Sequence, residues 1–335
     1  GLAYVNVLAN MMLASIIGSA SAQIAMMSRT IVPAMEKEGY SKPFSAATTG
    51  AAGLLGPIIP PSMLFIIYGV GSGVSIGAMF MAGIIPGILL VLGFIILIAI
   101  IGMKQQWPTH ERSAAKEMAK SFIAVIPALS VPVIIIVGVV IGVFTPTESA
   151  AIACIVAVIV GFFLYREIKI KDFPQIFINT AKTTAVITLL IAMANIFGWM
   201  LTFEQIPQQI AAWMTSLTEN PLLFLLIANI FLLIVGMFMD GIAALVILIP
   251  IFAPLLSNYG IDPVHFGVIM CINLAVGLLT PPVGTGLFIA ASVSNLSIGQ
   301  ITKAILPFLA VTYIVLLILT YIPNLVLWIP SMIGY

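Results

Sequence analysis

Asp240 is the residue whose type and place in this sequence most strongly suggest chemistry. It is an acid in the stretch Met239–Gly241, between two long apolar runs. An ionisable group at membrane depth indicates a functional role, because a charge in hydrocarbon is costly. The carboxylate can hold a cation, and it can also cap the helix predicted to begin at Gly241; the two roles are compatible. The apolar segments contain no series of acids and histidines that could carry a proton across the membrane. This favours sodium over a proton as the cation.

Other oxygen donors stand where apolar segments are interrupted by glycine and proline. Freed backbone carbonyls and hydroxyl groups are ligands for hard cations, and the carbonyl ends of half-helices attract positive charge. The competing interpretation of each hydroxyl is that it only satisfies the backbone of the interruption. We predict two sodium sites: one from Gly18, Ser19, Ser21, Gly56, Pro57, Pro60 and Ser62, the other from Asp240, Gly241, Gly277, Thr280, Pro281, Gly284 and Thr285.

A substrate site is predicted around the first of these clusters. Arg29 carries forked donors that suit an anion, although it can equally extend to the membrane surface or pair with a carboxylate. Gln23 can donate to a substrate oxygen or simply stand near the start of a helix. Together with Ser19 and Ser21, these residues predict binding of a small organic anion.

Two interrupted helices must position these groups. The segments Gly56–Ser62 (GPIIPPS) and Gly277–Gly286 (GLLTPPVGTG) cannot be continuous helix, because paired prolines remove backbone donors and clash with the preceding turn. Pro60 and Pro281 are 221 residues apart, and the same offset superposes further glycines and prolines. Broken helices at matching positions of two halves are typical of transporter binding sites.

The order of elements predicts an all-α polytopic membrane protein with inverted repeats, two re-entrant helical hairpins and two broken transmembrane helices. The hairpins are interrupted at Gly18–Ala22 and Met239–Gly241, and the first is expected to end near Pro33. An amphipathic arm is expected over Glu204–Asn220. We divide the chain into a first transport half (1–75), scaffold spans with basic linkers (76–182), a span and the arm (183–220), a second transport half (221–296) and a C-terminal span (297–335).

Basic residues predict the orientation of the halves. Lys104–Lys120 and Arg166–Lys182 are basic linkers separated by two spans, so both are expected in the cytoplasm. Counting spans in both directions makes the first hairpin open inward and the second outward. Thr145, Pro146 and Glu148 read as a capping box at a helix start, so Glu148 is interpreted as structural.

Composition excludes several classes of function. The chain has 335 residues, of which 62% are hydrophobic and 7% charged, with a net charge of +1. That balance argues against a nucleic-acid binder, which needs a basic face. Cys154 and Cys271 read as buried packing residues. The two histidines, His110 in a linker and His265 beside a helix start at the membrane interface, stand far from the serines, so an enzyme is not expected.

The ordered motifs GSASA, IVPAMEKEGYSKPFSAA, GPIIPPS, GVFTPTESAA, MDG, YGIDPVHFGVI and LLTPPVGTG resemble the large membrane subunit of TRAP (tripartite ATP-independent periplasmic) transporters, of the DctM type. The resemblance extends from Gly1 to the last span. It implies a sodium-driven secondary importer of the bacterial inner membrane that works by an elevator mechanism. Its ion sites would carry over to Ser19, the two helix breaks and Asp240.

The resemblance also implies partners: a small four-helix membrane subunit and a periplasmic substrate-binding protein. No cofactor is expected beyond Na⁺ as the coupling ion. Members often have an acid at the position of Gln23 and a small residue at that of Arg29, and they usually carry further N-terminal helices. The alternatives are a stand-alone sodium/anion symporter of similar architecture and a passive channel. Transport that does not require a binding protein would indicate the stand-alone symporter rather than the family. Accumulation driven by a sodium gradient would argue against a passive channel.

Overall fold

The chain is all helical in the computed structural model, which describes residues 1–105, 107 and 115–335. Fifteen α-helices lie in this described part. A π-helical turn, Val160–Leu164, continues α7, and a 3₁₀ turn, Ile170–Asp172, precedes α8. The helices are α1 Leu2–Ile17, α2 Ala20–Lys37, α3 Lys42–Gly53, α4 Met63–Ser72, α5 Ile76–Lys104, α6 Ala115–Val140, α7 Pro146–Ile159, α8 Phe173–Phe203, α9 Ile206–Leu217, α10 Pro221–Phe238, α11 Gly241–Asn258, α12 Pro263–Gly277, α13 Thr285–Ser294, α14 Ile298–Tyr321 and α15 Pro323–Ile333.

Membrane-spanning character follows from length and composition. A helix needs about 20 apolar residues to cross a bilayer. Among the described residues, seven helical segments are long and apolar enough: Ile76–Lys104, Ala119–Val140, Pro146–Leu164, Ile170–Phe203, Pro221–Phe238, Gly241–Asn258 and Ile298–Tyr321. The predicted polytopic all-α class is confirmed.

Both predicted hairpins are present, and their tips form in different ways. The first turns at Gly18, whose φ of 64° is readily adopted only by glycine and whose N–H bonds back to Ala14 at 3.0 Å. Ser19 is extended and precedes α2. The second turns through extended residues, Met239 and Asp240, before α11 begins at Gly241.

Both predicted helix breaks are present as well. Turns occupy residues 54–62 between α3 and α4, and residues 278–284 between α12 and α13. The Pro60–Pro61 and Pro281–Pro282 peptide bonds, which occupy equivalent positions, are both cis. Ser62 caps α4 by accepting a bond from Phe65 N–H at 3.3 Å. The sequence pattern therefore located the interruptions correctly.

The described residues form two compact units, the first from residues 1–110 and 207–335. Within it, helices of one half pack on helices of the other in reciprocal pairs. Hairpin helix α2 packs on α13 while hairpin helix α11 packs on α4, and α3 packs on α14 while α12 packs on α5. Each hairpin thus contacts the broken helices of both halves. Helix α5, which the sequence division assigned to the scaffold spans, packs here with α1, α4 and α14.

The second unit comprises the described part of residues 111–206. Helices α6 and α7 pack together, and the Tyr165 hydroxyl donates to the Ala124 carbonyl at 2.7 Å. The predicted capping box is confirmed: Thr145 Oγ1 accepts from Glu148 N–H, and Glu148 Oε2 accepts from Thr145 N–H at 2.8 Å. Glu148 therefore has the capping role that the sequence predicted.

Several element boundaries differ from the sequence-based ones. Helix α2 continues through Pro33 to Lys37, and α8 already contains Lys182, which was expected in a linker. Lys116 and Lys120 lie in α6, whereas Arg112 and His110 fall outside the described residues. The region predicted as one C-terminal span (297–335) contains two helices, α14 and α15. These ends were missed because packing against neighbouring helices can outweigh the local preference of a proline or a lysine.

Two side-chain environments also differ from expectation. His265 was expected at the interface, but it is only 2% exposed, and its Nε2 lies 2.9 Å from the Leu319 carbonyl oxygen. Cys271 is buried as predicted, whereas Cys154 is exposed on α7. The exposure of each side chain depends on how distant parts of the sequence pack, so hydrophobic periodicity alone could not predict it.

Candidate functional site

The tips of both hairpins line a single cavity of about 50 Å³ in the first unit. The sequence predicted two separate clusters, and the structure brings the tip of each to one place. Hairpin 1, the first break, hairpin 2 and α12 all contribute to the wall. The lining residues are Gly18, Ser19, Ala20, Ser21, Pro57, Met63, Leu64, Asp240, Gly241, Ile242, Leu274, Ala275 and Leu278.

Three helices begin at this cavity. The first two residues of each of α2 (Ala20, Ser21), α4 (Met63, Leu64) and α11 (Gly241, Ile242) are among the lining residues. The first N–H groups of a helix lack partners within it and carry partial positive charge. Three such ends around one small space give its wall a partial positive charge, which favours an anion.

Oxygen donors at the tips complement these helix ends. Ser19 precedes α2 as its N-cap, but its side chain makes no capping hydrogen bond. Asp240 is exposed to the cavity and caps α11, since its Oδ2 accepts from Ile242 N–H at 3.0 Å. The capping role weighed for Asp240 is therefore present. It uses one carboxylate oxygen and is compatible with attraction of a cation.

Tip 1 is in close contact with the first break, and glycine residues and backbone atoms make this contact. A Cβ at Gly18 would lie 3.4 Å from the Pro61 carbonyl oxygen, and one at Gly56 would lie 3.2 Å from that of Ser19. Ser62 is fully buried, and its hydroxyl donates to the Pro57 carbonyl at 2.5 Å. For Ser62, the interpretation that a hydroxyl satisfies the interrupted backbone is thus supported.

Hairpin 2 meets the second break along α10. The backbones of Gly236 and Gly277 are in direct contact, and Gly284 N–H donates to the Met237 carbonyl at 3.1 Å. Thr280 Oγ1 donates to the Val276 carbonyl at 2.8 Å and lies 2.7 Å from the Tyr313 hydroxyl. Thr280 therefore serves the break in the same way as Ser62.

The remaining predicted residues do not line the cavity. Pro60 and Pro281 shape the breaks, and Thr285 is the first residue of α13. Arg29 is exposed, two turns along α2 from the tip. Gln23 is fully buried behind the tip, and both of its amide hydrogens are committed to Asn10, so the predicted donation to a substrate oxygen does not fit this geometry.

Sequence reasoning missed a set of buried amides in both halves. In the first, Asn6, Asn10, Gln23 and Thr49 are each 0% exposed and hydrogen-bonded in series. In the second, Asn273 donates to Asn229 at 2.5 Å, and Asn229 to Thr320 at 3.2 Å. The available signal was the spacing of Asn6 and Asn10, four residues apart on one face of an apolar helix.

Comparison with known proteins gives a consistent result. Residues 1–325 match the family "Tripartite ATP-independent periplasmic transporter, DctM component". The chain is 39% identical over 334 residues to the C4-dicarboxylate TRAP transporter large permease protein DctM of Pseudomonas aeruginosa, covering all of this chain and 78% of that protein. It is 36% identical over 335 residues to the sialic acid TRAP transporter large permease protein SiaM of Vibrio cholerae, with 100% and 78% covered.

A third relative is the 2,3-diketo-L-gulonate TRAP transporter large permease protein YiaN of Escherichia coli, 37% identical over 327 residues, with 98% and 77% covered. These relatives are named as permeases, so the chain is a transport protein rather than an enzyme. With its apolar helices, it is a multi-pass protein of the bacterial inner membrane. The chain belongs to the DctM family of large permease subunits of TRAP transporters.

Proposed function

We propose that this permease imports a small organic anion together with sodium ions. The observation that carries the proposal is the shared cavity, in which two hairpin tips, three helix N-termini and the Asp240 carboxylate converge. The cavity can therefore attract both an anion and a cation, as expected for a substrate anion and a sodium ion that are transported together. The two predicted cation clusters are parts of this proposal.

The anionic class of substrate is supported by the helix ends and by the relatives. The N-termini of α2, α4 and α11 supply backbone N–H groups without a titratable base. The relatives named above are permeases for a C4-dicarboxylate, for sialic acid and for 2,3-diketo-L-gulonate. All of these substrates carry a carboxylate, so we propose that a carboxylate group binds at these helix ends.

Sodium coupling is supported by the oxygen chemistry of the tips. Ser19, Ser21 and the Ser19 carbonyl belong to tip 1, while Asp240 belongs to tip 2. Hard cations prefer such oxygens. Sodium held at the tips would offset the repulsion between Asp240 and an anionic substrate, so binding of one would favour binding of the other.

The size of the cavity bears on mechanism. At about 50 Å³ it can hold a carboxylate group or an ion with water, but not a whole sugar acid, which needs a site of roughly 300 Å³ or more. We propose that the hairpins move against their surroundings to admit substrate, in an elevator mechanism. The reciprocal packing of α2 on α13 and α11 on α4 supports the inverted repeat on which such a mechanism relies.

The proposed partners are a small four-helix membrane subunit and a periplasmic substrate-binding protein. Helix α8 supports the first: it belongs to an apolar segment, Ile170–Phe203, none of whose most apolar window is buried within the chain. Such a surface suits a neighbouring helix in the membrane. The second is supported by the name of the family, which calls the transporter tripartite and periplasmic.

Uptake into proteoliposomes tests the proposal. The full transporter, with its membrane partner, is reconstituted, and accumulation of radiolabelled C4-dicarboxylates and sugar acids is measured with and without an inward sodium gradient and the binding protein. We expect accumulation only when both are supplied. Accumulation with sodium alone would favour the stand-alone symporter, and selective uptake of a neutral ligand would contradict the anionic class.

A further inference from the structure

A second pocket, of about 280 Å³, lies between α9 and the two helices of hairpin 2. Each of the three helices contributes side chains that are three and four residues apart and so share one face. We call this space the arm pocket; it shares no lining residue with the cavity at the hairpin tips. The lining residues are Ile210, Trp213 and Met214 of α9, Phe224, Ile227, Ala228 and Phe231 of α10, and Leu248, Ile251, Phe252 and Leu255 of α11.

The arm pocket has a buried floor and an exposed rim. Ala228 stands between Phe224 and Phe231 on the lining face of α10, and its small side chain leaves room between the two rings. Phe224 and Ala228 are buried, whereas Trp213 and Phe231 are exposed. Both α10 and α11 are long and apolar enough to span the membrane, so we expect the rim to open toward hydrocarbon.

Water does not suit the arm pocket. Among the described residues, no polar atom is exposed in it. A buried water molecule needs two to four polar partners, so cavities with apolar walls stay dry. An empty pocket is also unfavourable, because the side chains of its wall lose their van der Waals contacts on one side. The lining therefore favours an apolar occupant.

Size decides between the two apolar occupants that a membrane offers, a partner's helix and a lipid chain. One turn of a helix is about 5.4 Å long and about 10–12 Å across, so it fills roughly 400–600 Å³. That is more than the pocket's volume of about 280 Å³, so a partner's helix can cover the rim but cannot enter. A single acyl chain is thinner than a helix and can bend to follow the walls.

Charge indicates which part of the lipid is recognised. The sequence contains no lysine or arginine between Lys182 and Lys303, and all three helices that form the arm pocket lie within that stretch. Anionic lipids are bound through clusters of basic side chains. These helices offer a lipid phosphate no such side chain, so recognition depends on the acyl chain and the charge of the headgroup should matter little.

We propose that the arm pocket binds one acyl chain of a bilayer phospholipid, which fills the space between α9 and hairpin 2. Just beyond α9, the Thr218 carbonyl already accepts a hydrogen bond from the Tyr259 hydroxyl, which follows α11, at 3.1 Å. The bound chain would extend this contact along α9 through apolar packing. The site is separate from the proposed transport of anions and does not depend on it.

Fluorescence quenching tests the proposal on the full transporter, with its membrane partner, in detergent. Phosphatidylethanolamine with brominated acyl chains is titrated in, because bromine quenches a tryptophan that it contacts. Trp213 lines the arm pocket and is 60% exposed, whereas Trp328 on α15 is 58% exposed and lies outside it. Trp213→Phe and its matched control Trp328→Phe assign the quenched signal. Ala228→Leu fills the pocket.

We expect saturable quenching that disappears in Trp213→Phe and remains in Trp328→Phe. In Ala228→Leu the half-saturating lipid concentration should rise at least about tenfold, because the added methyl groups occupy the space of the chain. If that variant does not fold, Ile251→Trp at the half-buried edge of the pocket replaces it. Phosphatidylglycerol with the same brominated chains should bind within about twofold of phosphatidylethanolamine.

Three results would overturn the inference. Quenching of Trp213 that does not saturate, as at any exposed tryptophan, would mean only general contact with lipid. Saturable quenching that is unchanged by filling the pocket would place the lipid elsewhere. Protection of Trp213 from brominated lipid in the full transporter would mean that a helix of the membrane partner covers the rim.

Discussion

The two hairpins reach their helix breaks in different ways. Tip 1 is neutral and approaches its break through the buried amide of Gln23, beside Gly56. Tip 2 carries Asp240 exposed to the cavity, while its hairpin contacts the break through the backbones of Gly236 and Gly277. The two halves that line the cavity therefore differ in their chemistry. The first half contributes the buried amide of Gln23, and the second contributes the carboxylate of Asp240, which lines the cavity.

The polar networks of the halves differ as well. In the first half, the buried side chains of Thr49, Asn6, Asn10 and Gln23 are hydrogen-bonded in series and end behind the tip of the hairpin. In the second half, Asn273, Asn229 and Thr320 also donate in one direction, and Asn273 Oδ1 is left unpaired. That oxygen lies on α12, one turn before the break, rather than on the hairpin. The first network therefore ends on a hairpin helix, and the second ends on a broken helix.

The largest effect is expected where backbones touch. A methyl group in Gly277→Ala would overlap the backbone of Gly236, which cannot turn aside as a side chain can. We expect a loss of about 3 kcal/mol in the free energy of unfolding, with low yield of folded protein. Thermal unfolding of purified protein measures this. Gly299→Ala is the control, because its methyl group would meet open space. A change as small in Gly277→Ala as in the control would contradict the described contact.

The next effect concerns the charge at tip 2. In Asp240→Asn the cap is kept, since asparagine caps helices well, and only the charge is lost. We expect the protein to insert normally and half-saturating sodium for uptake to rise about tenfold.

Asp262→Asn is a matched control for that change. Asp262 caps α12 with bonds from Val264 N–H at 2.8 Å and His265 N–H at 3.1 Å, and it does not line the cavity. The two carboxylates thus have the same local role and differ in surroundings. An unchanged sodium dependence in Asp240→Asn, or equal shifts in both variants, would remove Asp240 from the coupling site.

A smaller effect is expected in the network of the second half. Asn229→Leu removes the acceptor of Asn273 and the donor to Thr320 while keeping a similar volume. We expect unfolding to become easier by about 1–3 kcal/mol, because buried partners are left unpaired. Half-saturating sodium for uptake should not change, because Asn229 does not line the cavity. Thermal unfolding and sodium titration of uptake are measured on the same preparation. A tenfold rise in half-saturating sodium in Asn229→Leu would contradict a purely structural role for this network.

The smallest effect is expected at Arg29, which lies on hairpin 1 but is exposed and outside the cavity. Arg29→Gln should leave KM for the anionic substrate within about twofold of wild type, since exposed charges are screened by water and salt. Lys37→Gln, another exposed cation on α2, is the comparison. A KM raised tenfold in Arg29→Gln alone would restore the substrate contact predicted from the sequence.

Much of the fold could be predicted because its signals are local. Paired prolines and glycines interrupt helices wherever they stand, so GPIIPPS and LLTPPVGTG located the breaks, and Gly18 and Asp240 located the hairpin tips. The capping box at Thr145 was likewise fixed by residues three apart. Boundaries such as the end of α2 beyond Pro33 were wrong, because packing of neighbouring helices outweighs the preference of one residue.

The sequence by itself determined the helical class, the two hairpins, the two breaks and the family. Tertiary structure alone decided that both tips face one cavity, that Gln23 turns its oxygen to Gly56, and that Arg29 stays outside. The physical reason is range. Proline, glycine and capping residues act on the backbone within a turn or two. The partner of a buried amide can instead lie 91 residues away, as Thr320 does from Asn229, and the wall of the cavity joins residues from both halves of the chain.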